Sequence, residues 1–321
     1  MVNVVGEALI DLVLETPSAD GQWIDAVDGS ARYCARPGGS PFNVALGLAR
    51  LGQPTRLFAR LSSDAFGRQL RTHAATNGVM LDRCVLADEP TTLAVVGLDD
   101  DRNAVYDFYV DGTADWQWRE QELIGLADDA WVHAGSLAAW TPPGAVCIAE
   151  ALTRARHSAA RPAISFDPNI RARLMPERPA ALEIVEGLVG LSTVVKASAE
   201  DLAWLYPNRE IAAVLTAWRG LGPELVVVTE GASGAHALAR TGDVFTVASP
   251  AVEVADTVGA GDAFMAGLIN ALINAGPQAA MADADTVRPV IEQAALVAAL
   301  TCQRPGADPP TAAELQQALA R

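Results

Sequence analysis

A glycine-rich segment that ends in an aspartate carries the clearest chemical signal in the sequence: residues 256–262 read Asp-Thr-Val-Gly-Ala-Gly-Asp. It joins an apolar run over residues 245–254, which we predict to be a strand interrupted by Ser249 and Pro250, to an alanine-rich helix expected to begin near Ala263. Glycines let backbone N–H groups turn toward one point, and a helix N-terminus places partial positive charge there. The segment therefore suits a phosphate oxygen or a developing oxyanion.

The aspartate at the end of this segment suggests what happens at that point. A carboxylate would repel a resting phosphate, so Asp262 is a candidate base that removes a proton from a hydroxyl attacking the phosphate. The alternative is that Asp262 only caps the N-terminus of the helix, as aspartate often does. The segment alone leaves both interpretations open, because glycines between a loop and a helix are common.

A second glycine-rich element lies near the N-terminus, where residues 37–45 read Pro-Gly-Gly-Ser-Pro-Phe-Asn-Val-Ala. The pair Gly38 and Gly39 lets a ligand approach the backbone closely. Asn43 can donate and accept hydrogen bonds from one turn inside the following helix, which suits a polyol. The simpler alternative is a tight turn in which Ser40 caps the helix.

Three other polar segments follow predicted core strands. Residues 6–11 (Gly-Glu-Ala-Leu-Ile-Asp) place a carboxylate where it can accept hydrogen bonds from two adjacent hydroxyls, or else form a solvated loop. Residues 229–234 (Thr-Glu-Gly-Ala-Ser-Gly) offer strand-end glycines to nucleotide phosphates, although such turns are common. Residues 166–171 (Phe-Asp-Pro-Asn-Ile-Arg) form either a substrate contact or a salt-bridged turn.

The composition limits the partners of the chain, which has 321 residues and a formal net charge of -16. The negative charge argues against nucleic acid or an anionic membrane surface as the main partner. Only one of the 23 Lys and Arg residues is a lysine, Lys196. A Gly-x-x-x-x-Gly-Lys phosphate loop is therefore possible only before Lys196, and Gly190 lacks the rest of that pattern. Any nucleotide phosphates must be held by backbone amides, arginines and metal.

The cysteines and histidines give no metal-binding pattern. The four cysteines form no Cys-x-x-Cys pair and the four histidines no His-Glu-x-x-His motif, so we expect reduced thiols and no structural zinc. The N-terminus begins directly with a strand-like run, and no apolar stretch approaches membrane-spanning length. We therefore expect a soluble cytoplasmic protein without a membrane or nucleic-acid partner.

Short apolar runs alternate with helical patterns along the chain. The predicted core strands cover residues 2–5, 55–61, 130–134, 163–166, 193–196 and 225–229. The predicted helices cover residues 41–51, 66–77, 145–158, 180–189, 200–205, 210–221, 262–275, 287–302 and 311–320. This alternation predicts an α/β fold with a doubly wound, mainly parallel sheet flanked by helices.

Two segments break the alternation and are predicted to form β-hairpins outside the main sheet. One covers about residues 12–36 with a turn near 28–29, and the other covers about 91–114 with a turn at 99–103. We predict a single domain over residues 1–321 in which these insertions form a small β-sheet lid over the carboxyl ends of the core strands. Ordinary edge hairpins are the alternative.

Taken in this order, the motifs resemble those of the ribokinase/PfkB family of ATP-dependent sugar kinases over essentially the whole chain. The early motif of that family corresponds to residues 38–43, and the late, highly specific motif to residues 256–262. Within the family, the sequence is most similar to bacterial fructokinases and 2-keto-3-deoxygluconate kinases, through residues 6–11, 107–109, 112–115, 133–137 and 166–171. The resemblance implies a ribokinase-like fold and transfer of the γ-phosphoryl group of ATP to a hydroxyl of a free sugar, with fructose as the first expectation.

The resemblance also implies a role for each matching residue. Asp262 would be the catalytic base. The anion hole for the transferred group would be formed by the amides of Gly259, Ala260 and Gly261. The sugar-binding residues implied are Asp11, Gly38, Gly39, Asn43, Phe108, Asn169 and Arg171. The nucleotide-binding residues implied are Thr229, Gly231, Gly234, Lys196 and Ser198.

The metal-binding residues depart from the family pattern. The family often has an Asn-x-x-Glu element that organises Mg²⁺ and its waters, whereas residues 198–201 here read Ser-Ala-Glu-Asp. Asp201, or the adjacent Glu200, would contact the magnesium ion through water. The resemblance further implies a monovalent cation such as K⁺ near Asp256 and residues 302–307.

Other functions stay open from the sequence. The acceptor could be 2-keto-3-deoxygluconate, another sugar or a nucleoside, whereas a sugar phosphate would need more cationic residues than Arg171. The chain could also be a catalytically silent sugar-binding relative, although the late motif is intact. A dinucleotide-binding dehydrogenase is less consistent, because residues 6–8 do not open a Gly-x-Gly-x-x-Gly motif. Exposed hairpin edges and apolar faces invite pairing into a homodimer through the lid, and a clasped monomer is the alternative.

Overall fold

The computed structural model describes residues 1–15, 31–98 and 104–320. Its strands are β1 (Val2–Val5), β2 (Leu9–Leu14), β3 (Tyr33–Gly38), β4 (Thr55–Phe58), β5 (Arg60–Ser62), β6 (Val85–Ala87), β7 (Leu93–Leu98), β8 (Ala104–Tyr109), β9 (Trp131–Gly135), β10 (Ala163–Asp167), β11 (Val194–Ser198), β12 (Leu225–Thr229), β13 (Ala235–Leu238) and β14 (Phe245–Val247). Its helices are α1 (Ser40–Arg50), α2 (Ala65–Thr76), α3 (Ser136–Trp140), α4 (Gly144–His157), α5 (Arg178–Leu191), α6 (Ala199–Leu205), α7 (Ile211–Leu221), α8 (Ala260–Ala275), α9 (Pro277–Ala280), α10 (Ala284–Cys302) and α11 (Ala312–Leu319).

Within the described residues, the central sheet contains eight strands in the order β14-β13-β12-β11-β10-β9-β1-β4. Neighbours from β12 to β4 pair in parallel, whereas β13 and β14 add an antiparallel edge. The order of the strands reverses at β1, which lies between β4 and β9. Open α/β sheets bind ligands beyond the carboxyl ends of the strands at such a point, so a site is expected beyond β1 and β9.

Helices cover both faces of the central sheet, which explains why its strands are continuous apolar runs rather than alternating patterns. In β12, Leu225 and Val227 pack into the core cluster that includes α1, α8 and α10. Val226 and Val228 pack into the opposite cluster, with α4, α5 and α7. The predicted doubly wound architecture is therefore confirmed.

A separate four-stranded sheet, in the order β3-β2-β7-β8, is built from the two segments predicted as insertions. β2 pairs antiparallel with β3 and parallel with β7, and β7 pairs antiparallel with β8. The two hairpins are thus joined side by side through β2 and β7. Their turns, predicted near residues 28–29 and 99–103, lie outside the described residues.

Two predicted strands differ from the observed elements. Residues 55–61 form two strands, because β5 leaves the central sheet and pairs with β6. Of the apolar run over residues 245–254, only the first three residues, β14, are a strand, and a loop then leads to α8. Pro250 has no N–H to donate to a neighbouring strand, which is consistent with the end of the strand before it.

α8 is a buried helix, and its packing fixes the position of the residues in its first turn. Its residues from Ala263 to Leu272 are all buried, and it packs between α1 and α10. It is apolar nearly all round, as a helix in the middle of a core should be. Across the described parts of the chain, no helix combines the length and apolarity needed to cross a membrane.

Candidate active site

A left-handed glycine fixes the start of α8. Gly259 precedes the helix at φ 76°, in the region that favours glycine. A Cβ on Gly259 would also lie 2.5 Å from the Cβ of Ala307. Because the helix begins at Ala260, and not near Ala263 as predicted, Asp262 is its third residue. The alternative in which Asp262 only caps the helix is therefore wrong.

The carboxylate of Asp262 is held by two residues of α1. The hydroxyl of Ser40 donates to Oδ1 at 2.6 Å, and the side-chain amide of Asn43 donates to Oδ2 at 2.8 Å. Burial raises the pKa of Asp262, although these two hydrogen bonds and the charges of Lys196 and Arg171 oppose the rise. The carboxylate is thus fixed in direction and has an increased affinity for a proton, as a general base requires.

The early glycine pair makes this contact possible. Gly39 caps α1 at φ 103°, and a Cβ there would lie 2.7 Å from the carbonyl oxygen of Glu7. Since Ser40 is the first residue of the helix and no side chain caps it, the alternative of Ser40 as a cap is wrong. The absence of a side chain at Gly38 makes room for the carboxylate of Asp11, because a Cβ on Gly38 would overlap Oδ2 of Asp11.

A cavity of about 360 Å³ opens in front of Asp262, beyond the carboxyl ends of β1, β9 and β10. Residues from the small sheet, from α1 and from the start of α8 complete its walls. Eight of the residues predicted for the sugar or for catalysis line it: Asp11, Gly39, Asn43, Phe108, Asn169, Arg171, Gly259 and Asp262. The switch point of the central sheet is therefore where these side chains meet.

One row of paired residues crosses the small sheet, and two of its members, Asp11 and Phe108, line this cavity. Asp11 of β2 is paired with Arg36 of β3 and with Ala94 of β7, and Ala94 is paired with Phe108 of β8. Burial raises the pKa of Asp11 to about 6; the charges of Arg171 and Arg36 oppose the rise, and that of Asp262 adds to it. Hydrogen-bond donors such as sugar hydroxyls would stabilise the charged form of this buried carboxylate.

Two polar residues in the cavity wall were quoted in the sequence motifs without a role. Glu7 is 1% exposed and accepts a hydrogen bond from the amide of Ala138 at 3.0 Å, and burial raises its pKa to about 6. Ser136 follows β9 with φ 54°, and its hydroxyl accepts a hydrogen bond from the side chain of Asn169 at 3.2 Å. Their signal in the sequence is only that each follows the end of a core strand.

A second cavity, of about 530 Å³, adjoins the first turn of α8. The residues predicted to contact nucleotide phosphates, Thr229, Gly231 and Gly234, all line it. Small side chains of α10, among them Ala295 and Ala299, form an apolar wall. The cavity therefore offers a polar strand end to phosphates and an apolar surface to a flat base.

The first turn of α8 stands between the two cavities. Gly259 and Asp262 line the first cavity, whereas Ala260 and Gly261 line the second. The amide of Ala260 already donates to the carbonyl of Thr257 at 3.2 Å. Within the described residues, the amides of Gly259 and Gly261 have no such partner, so of the three predicted amides these two are the available donors.

The two remaining residues predicted for the nucleotide lie on β11. The ammonium of Lys196 donates to Oδ2 of Asp167 at 2.8 Å, and both residues are buried. Ser198 is the cap of α6, because its hydroxyl accepts from the amide of Asp201 at 3.0 Å. Neither residue lines the second cavity, so their contact with a nucleotide stays a prediction.

The predicted magnesium residues have limited capacity to bind a metal. Both carboxylate oxygens of Asp201 accept backbone N–H groups, from Ile170 at 2.7 Å and from Ser198 at 2.8 Å. Glu200 is exposed at the start of α6. Among the described residues, no group of three or more His, Cys, Asp or Glu side chains is arranged to hold a metal ion.

The predicted cation loop is joined to the late motif. Asp256 accepts hydrogen bonds from the amide of Val258 at 3.0 Å and from that of Gly306 at 2.7 Å. The amides of Ala255 and Asp256 donate to the carbonyl of Cys302 at 2.8 and 3.2 Å. The two segments named for a monovalent cation are thus in contact, while the cation itself stays a prediction.

Comparison with known proteins agrees with this geometry. A sequence profile of the pfkB family carbohydrate kinases matches residues 1–314. The chain is 34% identical over 273 residues to the fructokinase of Rhizobium leguminosarum bv. trifolii. The aligned region covers 85% of this chain and 79% of that fructokinase.

Two solved structures are similar over nearly their whole length. The fructokinase with bound ATP from Xylella fastidiosa has 29% identity and a TM-score of 0.87, covering 100% of this chain and 99% of that one. A double mutant of the Vibrio cholerae O395 fructokinase, in a form with fructose, ADP and potassium ion bound, has 28% identity and a TM-score of 0.81, covering 98% and 97%. The resemblance predicted from the motifs is confirmed, and the chain belongs to the pfkB family of carbohydrate kinases.

Proposed function

We propose that this carbohydrate kinase transfers the γ-phosphoryl group of ATP to the primary hydroxyl of fructose. The observation that carries the proposal is the meeting of two cavities at the first turn of α8, one lined by Asp262 and the other by Thr229, Gly231 and Gly234. A sugar in the first and a nucleotide in the second would meet at a helix N-terminus, which favours negative charge. The relatives named fructokinase support fructose as the acceptor.

In this reaction Asp262 takes the proton of the sugar hydroxyl as the hydroxyl oxygen forms its bond to the γ-phosphorus. The bond between that phosphorus and the bridging oxygen breaks, and ADP leaves with the electron pair. The amides of Gly259 and Gly261 point to the transferred group, with Ala260 completing the turn. Positioning and charge stabilisation supply most of the acceleration, because the chemistry itself needs little from the protein.

The sugar is held by the polar walls of the first cavity. Asp11 accepts hydrogen bonds from adjacent hydroxyls, and Asn43 and Asn169 offer amide groups to the others. The Oδ1 atom of Asn43 is buried without a partner in the described residues, which supports a substrate contact there. Arg171 lies beside Asp11, and Phe108 packs against the carbon face of the ring.

Magnesium fits this site as an ion carried by ATP. Mg²⁺ usually keeps several waters and binds substrate phosphates together with one or two carboxylates. Glu200 is the carboxylate that we assign to it through water, since both oxygens of Asp201 already accept N–H groups. The ion would offset charge on the phosphates. We assign a monovalent cation such as K⁺ to the carbonyls near Asp256 and residues 302–307.

The small sheet, from about residues 12–36 and 91–114, acts in this proposal as a lid within one kinase domain over residues 1–321. Exclusion of water by the lid would prevent hydrolysis of ATP in place of transfer to the sugar. Its edge strands, β3 and β8, would pair with a second copy in a homodimer. We propose the cytoplasm as the location, because the reaction consumes ATP.

A coupled assay of ADP formation tests the function. Purified protein with Mg·ATP is given fructose, 2-keto-3-deoxygluconate, ribose, glucose, tagatose phosphate or adenosine, with the Asp262→Asn variant as control. We expect ADP formation that depends on fructose and is lost in the variant. If another acceptor were preferred, the protein would still be a carbohydrate kinase, but the assignment of fructose as its substrate would be wrong. ADP formation with none, while fructose raises the melting temperature, would instead indicate a sugar-binding relative without activity.

A further inference from the structure

Glu7 and Ser136 lie in the wall of the first cavity, and the proposed reaction gives them no part. They are neighbours because two parallel strands end side by side. Val5 of β1 pairs with Ala134 of β9, and Glu7 and Ser136 each follow their paired residue by two positions. Both residues are almost fully buried, at 1% and 2% exposure. Two polar side chains are therefore held at the point where the strand order reverses, which is where open α/β sheets bind ligands.

The end of the next strand extends this contact. Asp167 of β10 pairs with Gly135, and Asn169 follows it by two positions. The side-chain nitrogen of Asn169 donates to the hydroxyl of Ser136 at 3.2 Å. Its side-chain oxygen accepts from the guanidinium of Arg171 at 2.8 Å. The ends of β1, β9 and β10 are thus joined through side chains that all line the same cavity.

Glu7 forms the buried end of this arrangement. Its carboxylate accepts a hydrogen bond from the amide of Ala138 at 3.0 Å and another from the hydroxyl of Ser136. Burial raises the pKa of Glu7 to about 6 against the effect of these hydrogen bonds, so the group is an acceptor at neutral pH. The polar network, as we name it, runs from the exposed end to the buried end through Arg171, Asn169, Ser136 and Glu7.

The two charged ends give the polar network one direction. A guanidinium can only donate, so Asn169 turns its oxygen toward Arg171 and its nitrogen toward Ser136. Ser136 accepts that hydrogen bond and gives its one proton to Glu7. A hydroxyl oxygen has two lone pairs, and in the described part of the chain Asn169 is the donor to this one. The second lone pair of Ser136 is therefore available to an O–H group in the cavity.

The backbone at this place supports a function for the network. Ser136 has φ 54° and Asn169 has φ 39°, in the left-handed region that residues other than glycine rarely adopt. The described residues contain four such positions, and two of them are these hydrogen-bonded partners in one cavity wall. Strained residues persist where the surrounding contacts fix them, and they cluster at active sites and ligand-binding sites.

We propose that Ser136 is a specificity-determining residue that accepts a hydrogen bond from a sugar hydroxyl other than the one that is phosphorylated, and that Glu7 is the positioning residue that directs its lone pair. This inference rests on the proposed kinase reaction. A sugar that lacks this hydroxyl leaves a buried polar atom without a partner, so the site discriminates against it. Glu7 acts through Ser136, because its carboxylate takes the proton that the hydroxyl would otherwise turn to the sugar.

Monodeoxy and monofluoro sugars test the contact. In the acceptor that the wild type prefers, each non-anomeric hydroxyl that does not receive the phosphoryl group is replaced in turn by hydrogen or by fluorine. Neither substituent can donate a hydrogen bond. At one position, we expect the preference of Ser136→Ala for the hydroxyl, measured as a ratio of kcat/KM values, to be smaller than that of the wild type by about 2- to 12-fold, the range for one neutral hydrogen bond. Unchanged ratios at every position would overturn the contact.

Glu7→Gln should reverse the direction of the Ser136 hydroxyl. The amide of Ala138 still needs an acceptor, so the glutamine oxygen faces Ala138 and its NH₂ group faces Ser136. Ser136 then accepts from the glutamine and turns its own proton toward the cavity. Fluorine can accept this proton weakly and hydrogen cannot, so we expect the ratio of kcat/KM for the fluoro analogue to that for the deoxy analogue to rise above its wild-type value. A merely structural loss would lower both values together, and an unchanged ratio would remove Glu7 from the positioning role.

Controls separate the possible failures. Ser63→Ala, at an exposed serine, should keep every ratio of the wild type. If a variant does not fold, a crystal structure of the wild type with the bound sugar decides, because an Oγ of Ser136 beyond hydrogen-bond distance of every sugar hydroxyl would contradict the contact. A wild type that forms no ADP with any sugar overturns the proposed function, whereas an active wild type whose ratios do not respond to Ser136→Ala overturns only this inference.

Discussion

Asp262 is the residue on which the proposed reaction depends most directly. In Asp262→Asn the side chain keeps its shape but cannot take a proton, so we expect kcat to fall about 10²- to 10⁴-fold, the usual contribution of a general base. Folding and fructose binding should persist, as measured by thermal denaturation and calorimetry. Asp82→Asn, at an exposed carboxylate paired with Arg56, is the matched control and should keep full turnover. Turnover near that of the wild type in Asp262→Asn would exclude it as the base.

Ser40 affects the pKa of Asp262. Its hydrogen bond to Asp262 lowers the pKa of the carboxyl, so removal of the hydroxyl in Ser40→Ala raises the pKa further. Because a base acts in its deprotonated form, the acidic limb of the kcat/KM profile should move to higher pH. A hydrogen bond to a charged group contributes about 1.5–3 kcal/mol, so at an acidic pH below the limb of both proteins kcat/KM of the variant should be lower by about tenfold or more. An unmoved limb would assign it to another group, such as Asp11.

Residue types and motif spacing were enough to predict most of the first cavity, because Asp11, Asn43 and Asn169 belong to recognisable segments. They were not enough for Ser40, whose contact with Asp262 joins residues 222 positions apart. They could not predict the buried ion pair between Asp167 and Lys196 either, since these residues lie on neighbouring strands that are 29 positions apart in the chain. Contacts between distant segments are set by the packing of the whole fold, and local patterns carry little information about them.

The two ends of α8 allow a controlled test at the scale of an element. Gly259 before the helix and Gly276 after it both have left-handed φ angles, of 76° and 81°. Alanine in that region costs about 1–2 kcal/mol, which is the loss expected for Gly276→Ala, where a Cβ meets nothing within 4 Å. Gly259→Ala should lose more stability, because its Cβ meets Ala307, and should lose activity, because the first turn that carries Asp262 must shift.

Chemical denaturation and steady-state kinetics of the two glycine variants check this prediction. Gly276→Ala should keep the kcat of the wild type, since it lies at the far end of the helix. Equal stability losses in the two variants, with unchanged kcat in both, would contradict the view that Gly259 fixes the direction of the first turn.

The elements themselves followed from the sequence to different degrees. Apolar runs with both faces buried, such as β1 and β12, were predicted with the observed bounds or nearly so. The division of residues 55–61 into β4 and β5 was not predicted, because both strands are largely buried and they differ in the strand with which each pairs, which the local sequence does not show. The parallel pairing of β2 with β7 was also not predicted, since hairpin patterns report only on neighbours in the chain.

At the scale of the whole molecule, the small sheet and the core are joined around Asp115. Its Oδ1 accepts a hydrogen bond from the amide of Ala8, directly before β2, at 2.9 Å. Thr92 lies directly before β7, and Thr113 follows β8, two positions before Asp115 in the chain. Their hydroxyls lie 2.6 Å apart. Three of the four chain segments that enter or leave the small sheet thus lie around one buried carboxyl group.

The protonation of this group should make the stability of the fold depend on pH. Burial raises the pKa of Asp115 to about 7 from 3.8, and the nearby charge of Glu7 adds to the rise. Because the folded state binds this proton more tightly than the unfolded state, the resulting stability is fully present below about pH 4 and is lost as the pH rises through about 7. Glu7 and Asp167, with pKa values raised to about 6, act in the same direction, whereas buried neutral His133, with a pKa of about 3, acts in the opposite direction.

Asp115→Asn isolates the contribution of this one group, since asparagine resembles the protonated acid and all other groups are common to both proteins. We expect equal melting temperatures near pH 4, with the variant becoming more stable than the wild type by up to about 1.4 kcal/mol per pH unit toward pH 7. Thermal denaturation across this range at constant ionic strength measures the difference. The same experiment on Asp82→Asn, an exposed acid, should give parallel curves. Parallel curves for Asp115→Asn as well would mean that folding does not change the proton affinity of Asp115, and that the junction between the small sheet and the core is not sensitive to its charge.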